Sequence, residues 1–187
     1  LQLLIDKGYH PLAYRMLCLQ AHYRSELEFS WEGLGAALTR LKRLVMAVAA
    51  LRAQAEPAAD AGPRFADHLA RFDAAVSDDL NTAVALTVLE EVAAMKKVDA
   101  GEKLAAIRSM DAVLGLGLLT LDRAELRVRP KGVEISEDQI VSSLAMRKDA
   151  RAQQNYAMSD RLRDELAAKG VEVMDGDPLG WDWKLGE

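Results

Sequence analysis

The sequence predicts a mainly α-helical protein, an antiparallel helix bundle followed by a small α+β unit of two helices and a β-hairpin. Three observations carry this. Half of the 187 residues are apolar but only 5% are aromatic, so the core must be built largely from Ala and Leu. That mixture favours helices packed on helices over a sheet sandwich. Apolar residues recur at helical spacing through most of the first 120 positions. Beyond Gly170 the spacing changes to alternation, in VEVMD and WDWKL on either side of GDPLG.

Each element follows from local chemistry. Leu1, Leu4 and Ile5 keep helical spacing until KGYHP interrupts it, and Pro11 suits the first turn of a helix running through LAYRMLCLQAH. Ser30 is an N-cap for a long amphipathic helix with Leu34, Leu38, Leu41, Val45 and Val48 on one face. QAEPAADAGP, residues 54–63, is the clearest internal loop. A helix follows through RFADHLARFDAAV, then the turn and cap chemistry of SDDLNT, then the helical AVALTVLEEVAAMKK. EKLAAIRSMDAVLGL closes the bundle and ends at Gly115 and Gly117. The expected organisation is thus a bundle of about five helices over 1–120, a linker over 121–136 marked by Pro130 and Gly132, and a small unit over 137–187. In that unit Asn155 caps the second helix, Gly170 ends it, and Trp181, Trp183 and Leu185 share one side of the hairpin.

The composition excludes several function classes. One cysteine, Cys18, rules out an internal disulfide and a Cys-rich zinc site, and its apolar helix predicts that it is buried. His10, His22 and His68 show no evident carboxylate or cysteine partner and no metal-ligand spacing. No phosphate loop, paired ligand motif or nucleophile elbow is present, and Asp78 and Asp79 read as loop and cap residues. There is no signal peptide and no run of about 18 apolar residues, so a soluble, cytoplasmic protein without membrane contact is expected. The sequence begins without methionine, already inside an apolar pattern, as part of a longer protein would.

A net charge of −5 argues against a generally basic nucleic-acid coat. The positive charge is local. Between Ile140 and Arg163 stand Arg147, Lys148, Arg151, Arg161 and Arg163 against only Asp149 and Asp160. On a helix Arg147 and Arg151 share a face, with Ile140, Leu144 and Ala145 turned elsewhere. Tyr156 begins the next helix and Asp160 lies four residues on, on the same side. Arginine suits phosphates and base edges, a tyrosine at a helix start can stack on an unpaired base, and a carboxylate accepts from the amino and N–H groups of cytosine and guanine. Asp175, in the hairpin turn, is a second such acceptor. The same residues also suit a solvated helix face with internal pairs such as Arg161 with Glu165.

Three stretches carry a resemblance. DKGYHPLAYRMLCLQAHYRSELEFSWEGL resembles the segment of cysteinyl-tRNA synthetases that follows their KMSKS signature loop. SDDLNTAVALTVL resembles the family's Asp-Asp-Phe-Asn-Thr segment, and RKDARAQQNYAMSDRLRDELAAKGVEVMDGDPLGWDW resembles its closing pattern. The resemblance implies the DALR-type helical anticodon-binding domain of a class I synthetase plus the small C-terminal domain that reads the anticodon. It implies a monomer whose partner is tRNA(Cys). The HIGH and KMSKS motifs, ATP with magnesium, and one zinc ion would belong to a catalytic core outside this sequence. The full-length enzyme would attach cysteine to tRNA through cysteinyl-adenylate, and this chain alone would do no chemistry and hold no cofactor or metal.

Carried over by residue, the anticodon contacts would fall on Arg151, Tyr156, Asp160 and Asp175, with Arg147 beside them and Trp183 supporting the hairpin. Some positions depart from the family pattern. His10 replaces an aspartate before Pro11, Tyr156 stands where tryptophan is common, and Lys184 replaces an arginine. MDGDPLGWDWK is one residue longer than the usual turn, which leaves Asp175 and Asp177 both open for one role. Two rival readings are a mycothiol-pathway cysteine ligase, which should lack the tail's Arg-aromatic-Asp pattern, and a helical adaptor that recruits a protein through exposed aromatics.

Overall fold

A computed structural model describes residues 1–186, which fall into two compact units. One comprises Pro11–Leu126; the other joins Leu1–His10 to the chain from Arg127 onward. The sequence reading had residues 1–10 opening the bundle and 121–136 as a linker. In the structure the first ten residues pack with the C-terminal unit, through bonds that no local pattern announces. Lys131 N–H donates to the Asp6 carbonyl at 2.8 Å, and Gly186 N–H to that of Lys7 at 2.9 Å. Gly8 sits at φ +90° with Pro130 so near that a Cβ would lie 2.8 Å from its ring, so this crossing requires glycine.

The larger unit is a helix bundle: α2 (Pro11–Leu19), α3 (Trp31–Arg52), α4 (Ala66–Ser77), α5 (Thr82–Ala94) and α6 (Ala100–Leu114), after a short α1 (Gln2–Asp6) in the other unit. α3 starts where it does because the Ser30 hydroxyl accepts from Gly33 N–H. The expected stripe of Leu34, Leu38, Leu41, Val45 and Val48 is fully buried. α3 packs against α5 and α6, whose Leu86, Leu89, Leu104 and Ile107 are likewise buried. α6 ends at Gly115, left-handed at φ +65°. There the buried Asp111 carboxylate accepts from Leu116 N–H at 2.8 Å and Leu118 N–H at 2.7 Å, satisfying backbone donors of the buried segment that follows the helix.

Cys18 is exposed, contrary to expectation. α2 turns Ala13, Met16 and Leu17 to the core, and one residue further the helix has rotated about 100°, carrying Cys18 outward.

The smaller unit has α7 (Glu137–Ala152), α8 (Tyr156–Ala168) and the antiparallel strands β1 (Val171–Val173) and β2 (Trp181–Trp183), paired Val171 to Trp183 and Val173 to Trp181. Ser136 and Gln139 form a reciprocal capping box on α7, and the Asn155 side chain caps α8 by accepting from Met158 N–H. Its core is small: Ile135, Ile140, Leu166, Val171, Trp181 and Trp183. The two tryptophans meet edge to face, with centroids 4.8 Å apart. Arg127 lies 3.8 Å over the Trp181 ring and Arg129 lies 5.3 Å from that of Trp183. Two cations thus cover the aromatic pair that the apolar residues are too few to enclose.

Candidate nucleic-acid interface

The basic cluster of the sequence gathers where α7 passes to α8 and the hairpin turn comes alongside. Arg147 is buried on α7. Its Nη1 donates to Asp175 Oδ1 at 3.0 Å and its Nη2 to Oδ2 at 3.2 Å, a bidentate fork. Arg151, one turn later, approaches the same carboxylate at 3.5 Å. Asp175 itself remains 67% exposed at the side chain, so the pair offers its outer lone pairs to solvent. The hydrogen bonds from Arg147, with the charges of Arg151 and Arg163 added, hold the Asp175 carboxyl below the usual carboxylate range.

Ile140 does not turn away from Arg147, as the sequence reading had it; both are buried. They are seven residues apart, two helical turns, and so lie on one face. Arg147 snorkels along the core edge, and its charged end emerges only at Asp175. Its two Nη groups are engaged by Asp175, while its Nε is buried with no hydrogen-bond partner. Arg151 is the arginine of this pair that faces solvent, with a half-exposed side chain.

Tyr156, the first residue of α8, is 62% exposed. Asp160, one turn on, is exposed and 3.7 Å from Arg163. Between the helices Gln154 adopts a left-handed φ of +58°, which closes the turn tightly enough for Asn155 N–H to reach the Ala150 carbonyl at 2.8 Å. Trp183 is buried against Trp181, so it braces the hairpin and shows no free ring face. Of the two aspartates left open for one role, Asp175 is the one beside the arginines. Asp177 instead closes the turn, accepting from Leu179 N–H at 2.9 Å. Sequence reasoning missed Arg127 and Arg129, whose guanidinium groups lie over the hairpin's tryptophans. Their alternation in RVRP, ahead of a Trp-x-Trp strand, was the available signal. The intrahelical pair of Arg161 with Glu165 is present at 2.8 Å.

Elsewhere two histidines do have carboxylate neighbours, contrary to the sequence reading. His22 Nε2 is 3.7 Å from Asp79, and His68 Nε2 is 4.0 Å from Glu91. Each pair joins different helices or loops, so sequence spacing could not reveal it. Among the described residues no group of three or more His, Cys, Asp or Glu could hold a metal ion. Among the described residues no helix is long and apolar enough to cross a membrane.

No family model matches the chain. Curated relatives do. A cysteine–tRNA ligase of Novosphingobium aromaticivorans is 73% identical over 186 residues, 99% of this chain and 38% of the relative. The chain is homologous over nearly its whole length to cysteine–tRNA ligases. Cysteine–tRNA ligases of Zymomonas mobilis and Burkholderia lata are 44% and 43% identical, over 98% and 94% of the chain. The chain spans little more than a third of the length of these ligases, between 34% and 42%.

Proposed function

We propose that this chain is the tRNA-holding part of a cysteine–tRNA ligase, and that the α7–α8 turn with the adjoining hairpin reads the GCA anticodon of tRNA(Cys). The full-length enzyme would charge that tRNA with cysteine using ATP, with its catalytic core, magnesium and zinc in the larger part of the polypeptide. It would do so as a cytoplasmic monomer. The observation that carries the reading is the exposed set Arg151, Tyr156 and Asp160 on either side of one tight turn, with Asp175 of the hairpin turn beside Arg151. Arg151 supplies a fork for phosphate or base, Tyr156 an unoccupied ring for stacking, and the carboxylates accept from guanine and cytosine. Arg147 acts one step back, holding Asp175 in place, and Trp183 holds the strand that presents the turn.

The test is binding of the chain to an anticodon stem-loop bearing GCA, beside one with a changed middle base, at two salt concentrations. Tighter binding of GCA that weakens with salt supports the reading. Equal binding of both loops overturns it. The chain alone is expected to catalyse no cysteine-dependent ATP–pyrophosphate exchange; exchange by the pure chain would refute that part.

A further inference from the structure

A second organised surface lies at one end of the helix bundle, in residues that anticodon reading does not use. His22, Tyr23 and Arg24 leave α2 and converge on Asp79, in the turn between α4 and α5. The Tyr23 hydroxyl donates to Asp79 Oδ1 at 2.7 Å, Arg24 Nη1 stands 3.2 Å from Oδ2, and Arg24 Nε donates to the Tyr23 hydroxyl oxygen at 2.9 Å. The His22 ring stacks on Tyr23, with centroids 5.0 Å apart. The turn they clasp holds two successive non-glycine residues in the left-handed region, Asp79 at φ +55° and Leu80 at +56°. Such a backbone persists only where surrounding contacts over-determine it.

What the clasp leaves bare is apolar. Tyr23 is 60% exposed, Leu80 56% and Val84, one turn from Leu80 on α5, 47%. The polar groups around them are spent on one another, and the charge of Arg24 is met by Asp79. A bare apolar patch with a satisfied polar rim suits a protein surface, whereas phosphate binding requires free cations. The related ligases supply the occupant, since well over half of each lies outside the span that this chain matches.

We propose that Tyr23, Leu80 and Val84 form the surface on which the remaining, larger part of the ligase polypeptide docks, with the Asp79 clasp holding Leu80 out toward it. This rests on the homology to those ligases and the geometry of the bundle, and stands or falls apart from the anticodon reading.

The test uses Leu80→Asn with Val84→Gln, chosen so that the fold is not harmed and no trypsin site is added. Asn tolerates the left-handed region better than Leu, and Gln is the better helix former at an exposed site. The pair is made in this chain and in a chimera where the chain replaces the matched part of the Novosphingobium ligase. In the chain the expected result is an unchanged or raised Tm. In the chimera trypsin is expected to release the bundle at least tenfold faster, with a lowered Tm. An unchanged proteolysis rate in the chimera overturns the proposal. So does a loss of tRNA binding by the variant chain with proteolysis unaffected, which would make the patch an RNA surface. Asp79→Gly, which removes the clasping carboxylate and suits the left-handed φ, should also speed proteolysis of the chimera; no change would show that the clasp presents nothing.

Discussion

The helix bundle and the small C-terminal unit solve the same problem with different means. The bundle buries continuous apolar stripes from several long helices, so no single contact defines it. The small unit has six residues in its apolar cluster, and it completes its enclosure with Arg127 and Arg129 over the tryptophans and with the Arg147–Asp175 fork. Small units cannot bury enough apolar surface to rely on it alone. Charged side chains therefore become part of the packing, and the charges end where a nucleic acid could meet them. The same shortage that weakens the core furnishes the candidate interface.

The comparison can be broken most severely at the tryptophans. Trp183→Ala is expected to cost about 3–5 kcal/mol, read as early unfolding of the small unit while the bundle's helical signal persists. Loss of both units together in a urea titration would show that they are not separable in this way. Leu41→Ala, inside the bundle stripe, should cost about 2–5 kcal/mol and lower the main helical transition instead. Arg147→Met, which fills the same space without the fork, should cost only about 1 kcal/mol, because Asp175 stays hydrated. Its larger effect is expected on loop discrimination, where Asp175 loses its fixed direction.

Acid sharpens the contrast further. The folded Asp175 carboxyl titrates below its unfolded value of about 3.9, so its contribution is complete above that pH. It is lost as pH falls through the lower, folded value. Carboxyl NMR should find Asp175 below the ordinary range in the parent chain and closer to it in Arg147→Met; the same midpoint in both would exclude the fork as the cause. The smallest effect is expected from Arg161→Ala. It removes an exposed pair one turn apart and should change stability by no more than about 0.5 kcal/mol, within reach of a careful urea midpoint.

Much of this molecule follows from neighbours in the chain. Ser30 and Asn155 cap the helices they precede, Gly115 and Gly170 stop the helices they follow, and the stripe from Leu34 to Val48 is buried as its spacing requires. Those outcomes depend on hydrogen bonds and periodicities that span a few residues, so the sequence by itself determined them. Tyr156 and Asp160 were legible as one exposed helix face for the same reason.

The rest was decided between distant segments. Tyr23 meets Asp79 across 56 positions and Arg147 meets Asp175 across 28. Residues 1–10 close against the far end of the chain through backbone bonds that carry no side-chain signature. Arginine spacing announced a charged face, but whether Arg147 stood in solvent or along the core depended on the carboxylate that β1 and β2 bring to it. Periodicity identifies which side of a helix is buried. Only tertiary structure determines what lies against it, because burial of a charge is favourable only where a partner arrives in three dimensions.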